Sequence, residues 1–306
     1  MTIDVFAEKV KECVEEKLGE DYKIKICCVN KNNGIIYTGV CISKDNVTVS
    51  PVIYLDGHYE MYEKGNATIE SVAAYAIGVY SSDTKGTKID VRQFLQYENI
   101  RDRIVYKLVN TERNKELLKD VPHMKFLDMS IVFQCLIEQK DFGTASVLIH
   151  NAHMKLWNVS VENLYQSAKE NTKRLEKYEM KSMSEILRDL MKAEEPEEYN
   201  DEDWKKEFSD DIPMYVLSNS SRVGGAACIL YPLLLADIAK QFGKSFYIIP
   251  SSIHEVLILP ADNMDESKPI QNMIKEVNDT QVRPEEVLSY SLYYYDRDED
   301  KISVCA

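Results

Sequence analysis

The sequence lacks the usual signs of export and of membrane insertion. Its first residues, Met1-Thr-Ile-Asp-Val-Phe6, contain no basic segment followed by an apolar one, so we expect no secretory signal. No apolar run reaches the roughly 20 residues that a membrane-spanning helix needs. The seven cysteines are an odd number without a Cys-x-x-Cys pair, which is typical of free thiols in a reducing compartment. We therefore expect a cytoplasmic protein with no membrane association.

Positive charge is also scarce. The chain has 37 Lys and Arg residues against 51 Asp and Glu residues, a formal net charge of −14. This charge opposes attraction to phosphate backbones, so nucleic-acid binding is not expected. The acidic excess is concentrated in residues 194–211, which contain ten acidic residues against Lys205 and Lys206. We predict a solvated acidic insertion at about 192–212, with a docking surface for a basic partner as the alternative.

The common catalytic and cofactor-binding motifs are missing too. There is no Gly-x-Ser-x-Gly sequence, no phosphate-binding Gly-x-x-x-x-Gly-Lys-Ser/Thr sequence and no Gly-x-Gly-x-x-Gly sequence. No cofactor is implied. The amino-acid sequence therefore offers no direct evidence for an enzyme.

The hydrophobic pattern predicts an α+β fold. Phe6, Val10, Val14 and Leu18 fall on one helical face, and Asn33-Gly34 between two apolar runs predicts a hairpin. We expect mixed, mostly antiparallel sheets with flanking helices. The expected lobes are residues 1–120 and 121–306, and the second includes the acidic insertion. Further predicted strands are 47–55, 104–109, 126–137, 144–151, 213–218, 289–295 and 301–305; further helices are 69–80, 111–119, 160–175, 184–191, 226–242 (kinked or restarted at Pro232) and 267–278.

The segment between two apolar runs at 245–260 carries the first candidate site. Its polar candidates are Ser251, Ser252, His254 and Glu255. Such groups between core strands need partners, so the segment is either a site or a structural turn. On a straight strand Ser252 and His254 share a face but lie about 6.6 Å apart. A nucleophile and its base need about 3.2 Å, so a dyad requires the chain to fold back or a partner from elsewhere.

The sequence Asn219-Ser-Ser-Arg-Val-Gly-Gly225 is the second candidate, a glycine-containing loop between a strand and a helix. Backbone N–H groups in such a loop can hold an anion, and an arginine can add a bidentate contact. Ordinary turn chemistry is the alternative. The ligand-binding candidates are Asn219, Ser221, Arg222, Gly224 and Gly225, together with His150 and Asn151.

A metal site is not predicted. His150 and His153 are only weak candidates, because residues three apart face opposite sides of a strand unless the strand ends there. Zinc needs three or four protein ligands, and no others lie nearby in the sequence.

Long segments across most of the chain give it a family resemblance. They are Val49-Ser-Pro-Val-Ile-Tyr-Leu55, Arg103-Ile-Val-Tyr-Lys-Leu-Val-Asn110, Val121-Pro-His-Met-Lys-Phe-Leu-Asp128, Leu148-Ile-His-Asn-Ala-His153, Met214-Tyr-Val-Leu-Ser-Asn219, Gly225-Ala-Ala-Cys-Ile-Leu230, Ile249-Pro-Ser-Ser-Ile-His-Glu255 and Glu276-Val-Asn-Asp-Thr-Gln281. With them the chain resembles an uncharacterised bacterial family, domain of unknown function 5688. The resemblance implies a cytosolic bacterial protein and implies no activity and no catalytic residues.

Three hypotheses follow. The leading one is a binding or regulatory protein without catalysis, whose partner is a small molecule or a protein and whose pocket lies between loop 219–225 and turn 251–255. One alternative is a small hydrolase that uses Ser251 or Ser252 with His254 or His150. The other is an acidic partner-binding protein that imitates nucleic-acid charge. The sequence leaves the oligomeric state open.

Overall fold

The computed structural model describes residues 1–44, 51–83, 91–139, 143–194, 214–261 and 267–305. The chain divides into two compact units. The first comprises Met1–Phe94 and Glu138–Thr144, and the second comprises Leu95–Ile137 and Ala145–Ala306. Residue 120, the expected lobe boundary, lies inside the second unit.

The first unit begins with helix α1 (Ile3–Leu18). Thr2 caps it by accepting a hydrogen bond from the backbone amide of Val5, and Gly19 ends it with a φ of 78°. The predicted apolar face is the buried one, since Phe6 and Val10 have no exposed area. The hydrophobic periodicity is therefore what docks α1 onto the unit's core.

The sheet of the first unit has the order β1-β2-β3. Its strands are β1 (Tyr22–Asn30), β2 (Ile36–Lys44) and β3 (Val52–Tyr54), all antiparallel to their neighbours. Asn33 and Gly34 have φ angles of 61° and 70°, which confirms the predicted hairpin turn with positive φ. Of the predicted strand 47–55, residues 47–50 lie outside the described part.

Two helices complete the first unit, namely α2 (Asp56–Glu63) and α3 (Ile69–Asp83). Helix α3 was predicted, and the Thr68 hydroxyl accepts from the Ser71 amide at its start. Helix α2 was not predicted. The helices and the inner sheet face share one core, which contains Phe6, Val40, Ile42, Val72 and Ala76.

The second unit opens with a sheet in which β6 pairs with β4, β5 and β7. The elements are α4 (Tyr97–Ile100), β4 (Ile104–Asn110), α5 (Lys115–Leu118), β5 (His123–Phe126), β6 (Met129–Gln139) and β7 (Gly143–Leu148). The prediction of one strand over 126–137 was wrong, because a tight turn with Leu127 at φ 55° splits it into β5 and β6. Since β4 pairs with β6 across residue 120, the two flanking segments fold together.

A helical stretch follows, with α6 (Asn151–Trp157), α7 (Val161–Leu175), β8 (Tyr178–Ser182) and α8 (Met183–Glu194). The Ser160 hydroxyl accepts from the Asn163 amide, which makes Ser160 the N-cap of α7. The predicted strand 144–151 was too long, because the chain turns into α6 after β7. Most of the predicted acidic insertion at 192–212 lies outside the described residues.

The largest sheet has the order β13-β12-β10-β11-β9-β8, with antiparallel neighbours. The strands of this sheet not yet given are β9 (Tyr215–Asn219), β10 (Ser245–Pro250), β11 (Glu255–Ala261), β12 (Tyr293–Asp296) and β13 (Lys301–Val304). The helices of the same part of the chain are α9 (Leu234–Phe242) and α10 (Ser267–Thr280). The predicted helix 226–242 is a 3₁₀ turn (Gly225–Leu230) followed by α9, so the chain restarts its helix after Pro232.

These elements confirm the predicted α+β class with mostly antiparallel sheets. Across the described residues, no helix combines the length and the apolar character that crossing a membrane requires.

Candidate functional site

Turn 251–255 connects β10 to β11 and satisfies its own polar groups. The Ser252 hydroxyl accepts from the backbone amide of His254 at 3.0 Å, and the Ser252 amide donates to the Glu255 carbonyl at 3.2 Å. The Ser251 hydroxyl donates to the Glu255 carboxylate at 3.4 Å. Both serines thus hold the turn in shape.

Loop 219–225 folds around the side chain of Asn219, which is 1% exposed. Its Oδ1 accepts from the Val223 amide at 3.2 Å and from the Ser221 hydroxyl at 3.1 Å, while its Nδ2 donates to the Val223 carbonyl at 2.9 Å. Arg222 and Gly224 adopt left-handed conformations with φ of 54° and 68°. The polar side chains of the loop therefore make a compact turn.

The structure brings this loop and turn 251–255 together, because β9 and β11 are neighbours and pair Ser218 with Glu255. The Gly224 amide donates to Nδ1 of His254 at 3.2 Å, and the Ser218 hydroxyl donates to the His254 carbonyl at 2.8 Å. A Cβ atom on Gly225 would lie 2.5 Å from that carbonyl oxygen, so only glycine fits there. We call this contact the loop–turn junction.

The loop–turn junction leaves almost no space for a ligand. The recess bordered by Ser218, Arg222, Glu255 and Glu179 holds about 10 Å³. That volume is at the lower limit for a single water molecule. Where a pocket between loop and turn was predicted, the two segments contact each other directly and hydrogen-bond to one another.

The hydrogen bond from Gly224 defines the proton position on His254. Nδ1 must keep its lone pair to accept from an amide, so the proton of the neutral ring sits on Nε2. Nε2 lies 3.7 Å from Oε1 of Glu286, and the histidine side chain is 31% exposed. Among the described residues, no serine hydroxyl hydrogen-bonds to the ring of His254. The geometry therefore does not assemble the Ser/His pair of a hydrolase at this turn.

His150 and His153 lie at the start of α6. The ring of His153 accepts from the His150 amide at 3.0 Å and stacks on Trp157, while Nδ1 of His150 is 2.8 Å from the Asp120 carboxylate. Asn151 donates to the Lys119 carbonyl. Burial, and after it the neighbouring His150, lowers the pKa of His153 below the ordinary value of a histidine. No group of His, Cys, Asp or Glu side chains in the described part of the chain is placed to hold a metal ion.

A buried carboxyl group lies behind loop 219–225 and escaped the sequence prediction. Glu176, between α7 and β8, is 8% exposed, and burial raises its pKa to about 7, although a hydrogen bond with the Asn219 side chain acts in the opposite direction. Burial likewise raises the pKa of the nearby Cys228 thiol to about 12. The hydroxyl of Tyr231 donates to the Glu176 carbonyl at 2.6 Å. Because Glu176 stands in a charged stretch, its burial could not be predicted from the hydrophobic pattern.

The larger space lies at the carboxyl end of α10. An open groove of about 360 Å³ is lined by Arg113, Tyr290 and residues 278–284 and 287. The Tyr290 hydroxyl donates to the Asp279 carboxylate at 2.7 Å, and the Arg113 guanidinium carbon is 5.6 Å from the centre of the Tyr290 ring. We call this space the α10 groove.

The wall of the α10 groove also supports turn 251–255. The Ile253 amide donates to the Glu286 carbonyl at 2.8 Å. The Glu286 carboxylate lies 3.7 Å from His254 and 4.0 Å from Arg283. Residues 283–286 therefore connect the loop–turn junction to the groove.

Asp128 anchors the chain behind the groove. Its carboxylate accepts from three hydroxyl groups, those of Ser289 at 2.7 Å, Ser291 at 3.1 Å and Tyr293 at 2.6 Å. Asn278 donates to the Ser289 carbonyl at 2.9 Å and so ties the end of α10 to the same segment. These four bonds connect Asp128, the end of α10 and the segment around Tyr290 on one side of the groove.

The described residues thus define an α+β protein with an open groove beside a closed loop–turn junction. The chain belongs to a family of unknown function, DUF5688, whose sequence model matches residues 3–297. This match confirms the resemblance predicted from the sequence. No curated protein and no solved structure shows significant similarity to the chain.

Proposed function

We propose that this protein binds a small molecule in the α10 groove and does not catalyse a reaction on it. The observation that carries the proposal is the volume of about 360 Å³, which falls in the range typical of ligand sites. The groove also combines an aromatic ring and apolar side chains with charged and polar groups that can fix the orientation of a ligand. A cytoplasmic location is part of the proposal, supported by the free state of all seven cysteines.

A binding role suits the loop–turn junction as well. Its amide and hydroxyl groups and Nδ1 of His254 hydrogen-bond to one another, which supports a structural part for them beside the groove. The Glu286 carboxylate, 3.7 Å from His254, connects the loop–turn junction to the groove wall, so the junction helps to position that wall. A regulatory response to a bound ligand would use the same link.

The test is a thermal-shift screen against organic acids, nucleotides, sugars and divalent metals. A ligand at about 100 times its dissociation constant adds about 2.7 kcal/mol to the free energy of unfolding. For the second unit, which has about 200 residues, this stabilisation raises Tm by about 5–10 °C. The Gln281→Trp variant should abolish it, because Gln281 lines the groove and a tryptophan there fills the space.

Gln241→Trp is the matched control, since Gln241 is exposed on α9 and does not line the groove. The control should keep the ligand-induced shift. A shift that persists in Gln281→Trp, or the absence of any shift with the wild-type protein across the screen, would overturn the proposal.

A further inference from the structure

The charges of the α10 groove differ from those of the chain as a whole. In a protein with 51 acidic and 37 basic residues, the groove is lined by two arginines, Arg113 and Arg283, and one acidic residue, Asp279. The Asp279 carboxylate already accepts a hydrogen bond from the Tyr290 hydroxyl. The lining side chains thus carry one more positive than negative charge, and the Glu286 carboxylate lies just outside them, 4.0 Å from Arg283.

Neither guanidinium group is fully used by the protein. Within the described ranges no carboxylate lies at ion-pair distance from Arg113, whose guanidinium carbon lies 5.6 Å from the centre of the Tyr290 ring. Arg283 has Glu286 at 4.0 Å, the outer limit of an ion pair, and its side chain is 75% exposed. A guanidinium group has five N–H donors, so both arginines keep donors for a ligand.

The apolar side chains of the lining indicate which chemical group a negatively charged ligand of this groove would also contain. Val282, Pro284 and the ring of Tyr290 present apolar surface to the groove. An inorganic anion would leave this surface unused, whereas a hydrocarbon body would cover it. The planar guanidinium fork also matches a carboxylate.

We infer that the α10 groove binds a small organic acid, whose carboxylate is held by Arg113 and Arg283 and whose apolar body lies against Tyr290 and Val282. This inference rests on the proposed function. The carboxyl end of α10 carries partial negative charge and opposes an anion. Both arginines are therefore needed, and loss of either should weaken binding markedly.

The experiment measures dissociation constants by calorimetry for short-chain, branched and aromatic monocarboxylates, their uncharged amides and inorganic phosphate. A carboxylate should bind the wild-type protein more tightly than its amide by about tenfold or more, the ratio expected for a charge-assisted hydrogen bond. Arg113→Gln and Arg283→Gln should each remove about tenfold of that affinity and leave the amide within about twofold. Arg101→Gln is the control, since Arg101 is an exposed arginine paired with Glu98 and Asp102.

The outcomes separate the two proposals. If amides bind as tightly as carboxylates and Gln281→Trp blocks both, groove binding stands and the organic acid is refuted. Phosphate binding more tightly than every carboxylate would also refute the organic acid. If no carboxylate binds while another compound of the wider screen gives a groove-dependent shift, only the inference falls. Equal affinities in all three arginine variants would show that the guanidinium groups do not hold the ligand.

Discussion

Glu176 gives the protein a pH-dependent stability that can be worked out from its burial. The pKa of this carboxyl group is raised from an ordinary 4.5 to about 7. Between these values the folded protein holds a proton that the unfolded chain has released, so the free energy of unfolding falls as pH rises. The contribution is complete below about pH 4.5 and is lost as pH rises through about 7. A difference of about 2.5 pH units at about 1.4 kcal/mol each gives about 3–4 kcal/mol for the whole titration.

The perturbation is Glu176→Gln, which keeps the size of the side chain but carries no titrating proton. Relative to this variant, the wild-type protein should be about 3 kcal/mol more stable at pH 4.5 than at pH 8. The comparison cancels the titration of the other acidic groups, which both proteins share. Glu179→Gln, an exposed glutamate on β8, controls for the loss of one carboxyl group.

The assay is urea unfolding at several pH values, followed by tryptophan fluorescence, since both tryptophans, Trp157 and Trp204, belong to the same unit as Glu176. The free energy difference between wild type and variant is plotted against pH. A difference that stays constant with pH would refute the reasoning, because it would mean that burial does not raise the pKa of Glu176. A difference that moves in favour of the wild type as pH rises would show that the site stabilises the carboxylate instead.

Further predictions concern single contacts, and each is measured by chemical denaturation. Gly225→Ala should lower the free energy of unfolding by about 1–3 kcal/mol, because the new Cβ atom would clash with the His254 carbonyl. The control Gly78→Ala, on the exposed face of α3, should raise the free energy of unfolding by about 0.5–1 kcal/mol. Equal effects of the two substitutions would contradict the close approach at Gly225. Tyr106→Phe should raise the free energy of unfolding by about 1 kcal/mol, since the buried hydroxyl has no hydrogen-bond partner among the described residues, and a clear loss would reveal a partner. Asp128→Ala should lower it by about 3 kcal/mol or more, because three hydroxyl groups lose their acceptor, and a loss below about 1 kcal/mol would refute that role.

Local signals in the sequence identified the features that depend on neighbouring residues. The turn at Asn33-Gly34 follows from the preference of those residues for positive φ, and the restart at Pro232 follows from its missing N–H. The polar residues between β10 and β11 could be identified as a turn or a site because an apolar run precedes them and another follows them.

Features that depend on distant segments could not be predicted. The bond between Gly224 and His254 exists because β9 pairs with β11, and a sequence does not show strand register. Leu127 carries no turn signal, since leucine rarely adopts positive φ. The α10 groove joins Arg113 to the segment around Tyr290, two parts of the chain that only the folded unit brings together.

The position of β10 in the largest sheet has a consequence for how the chain is made. Both neighbours of β10, which are β11 and β12, follow it in the sequence. While the chain emerges from the ribosome, β8 and β9 can pair only with each other, and an isolated two-stranded ribbon is marginally stable in water. The edge of β9 that pairs with β11 stays unpaired until Glu255–Ala261 has been synthesised. Nascent chains stalled before this strand should therefore be the species that chaperones bind and that aggregates most readily.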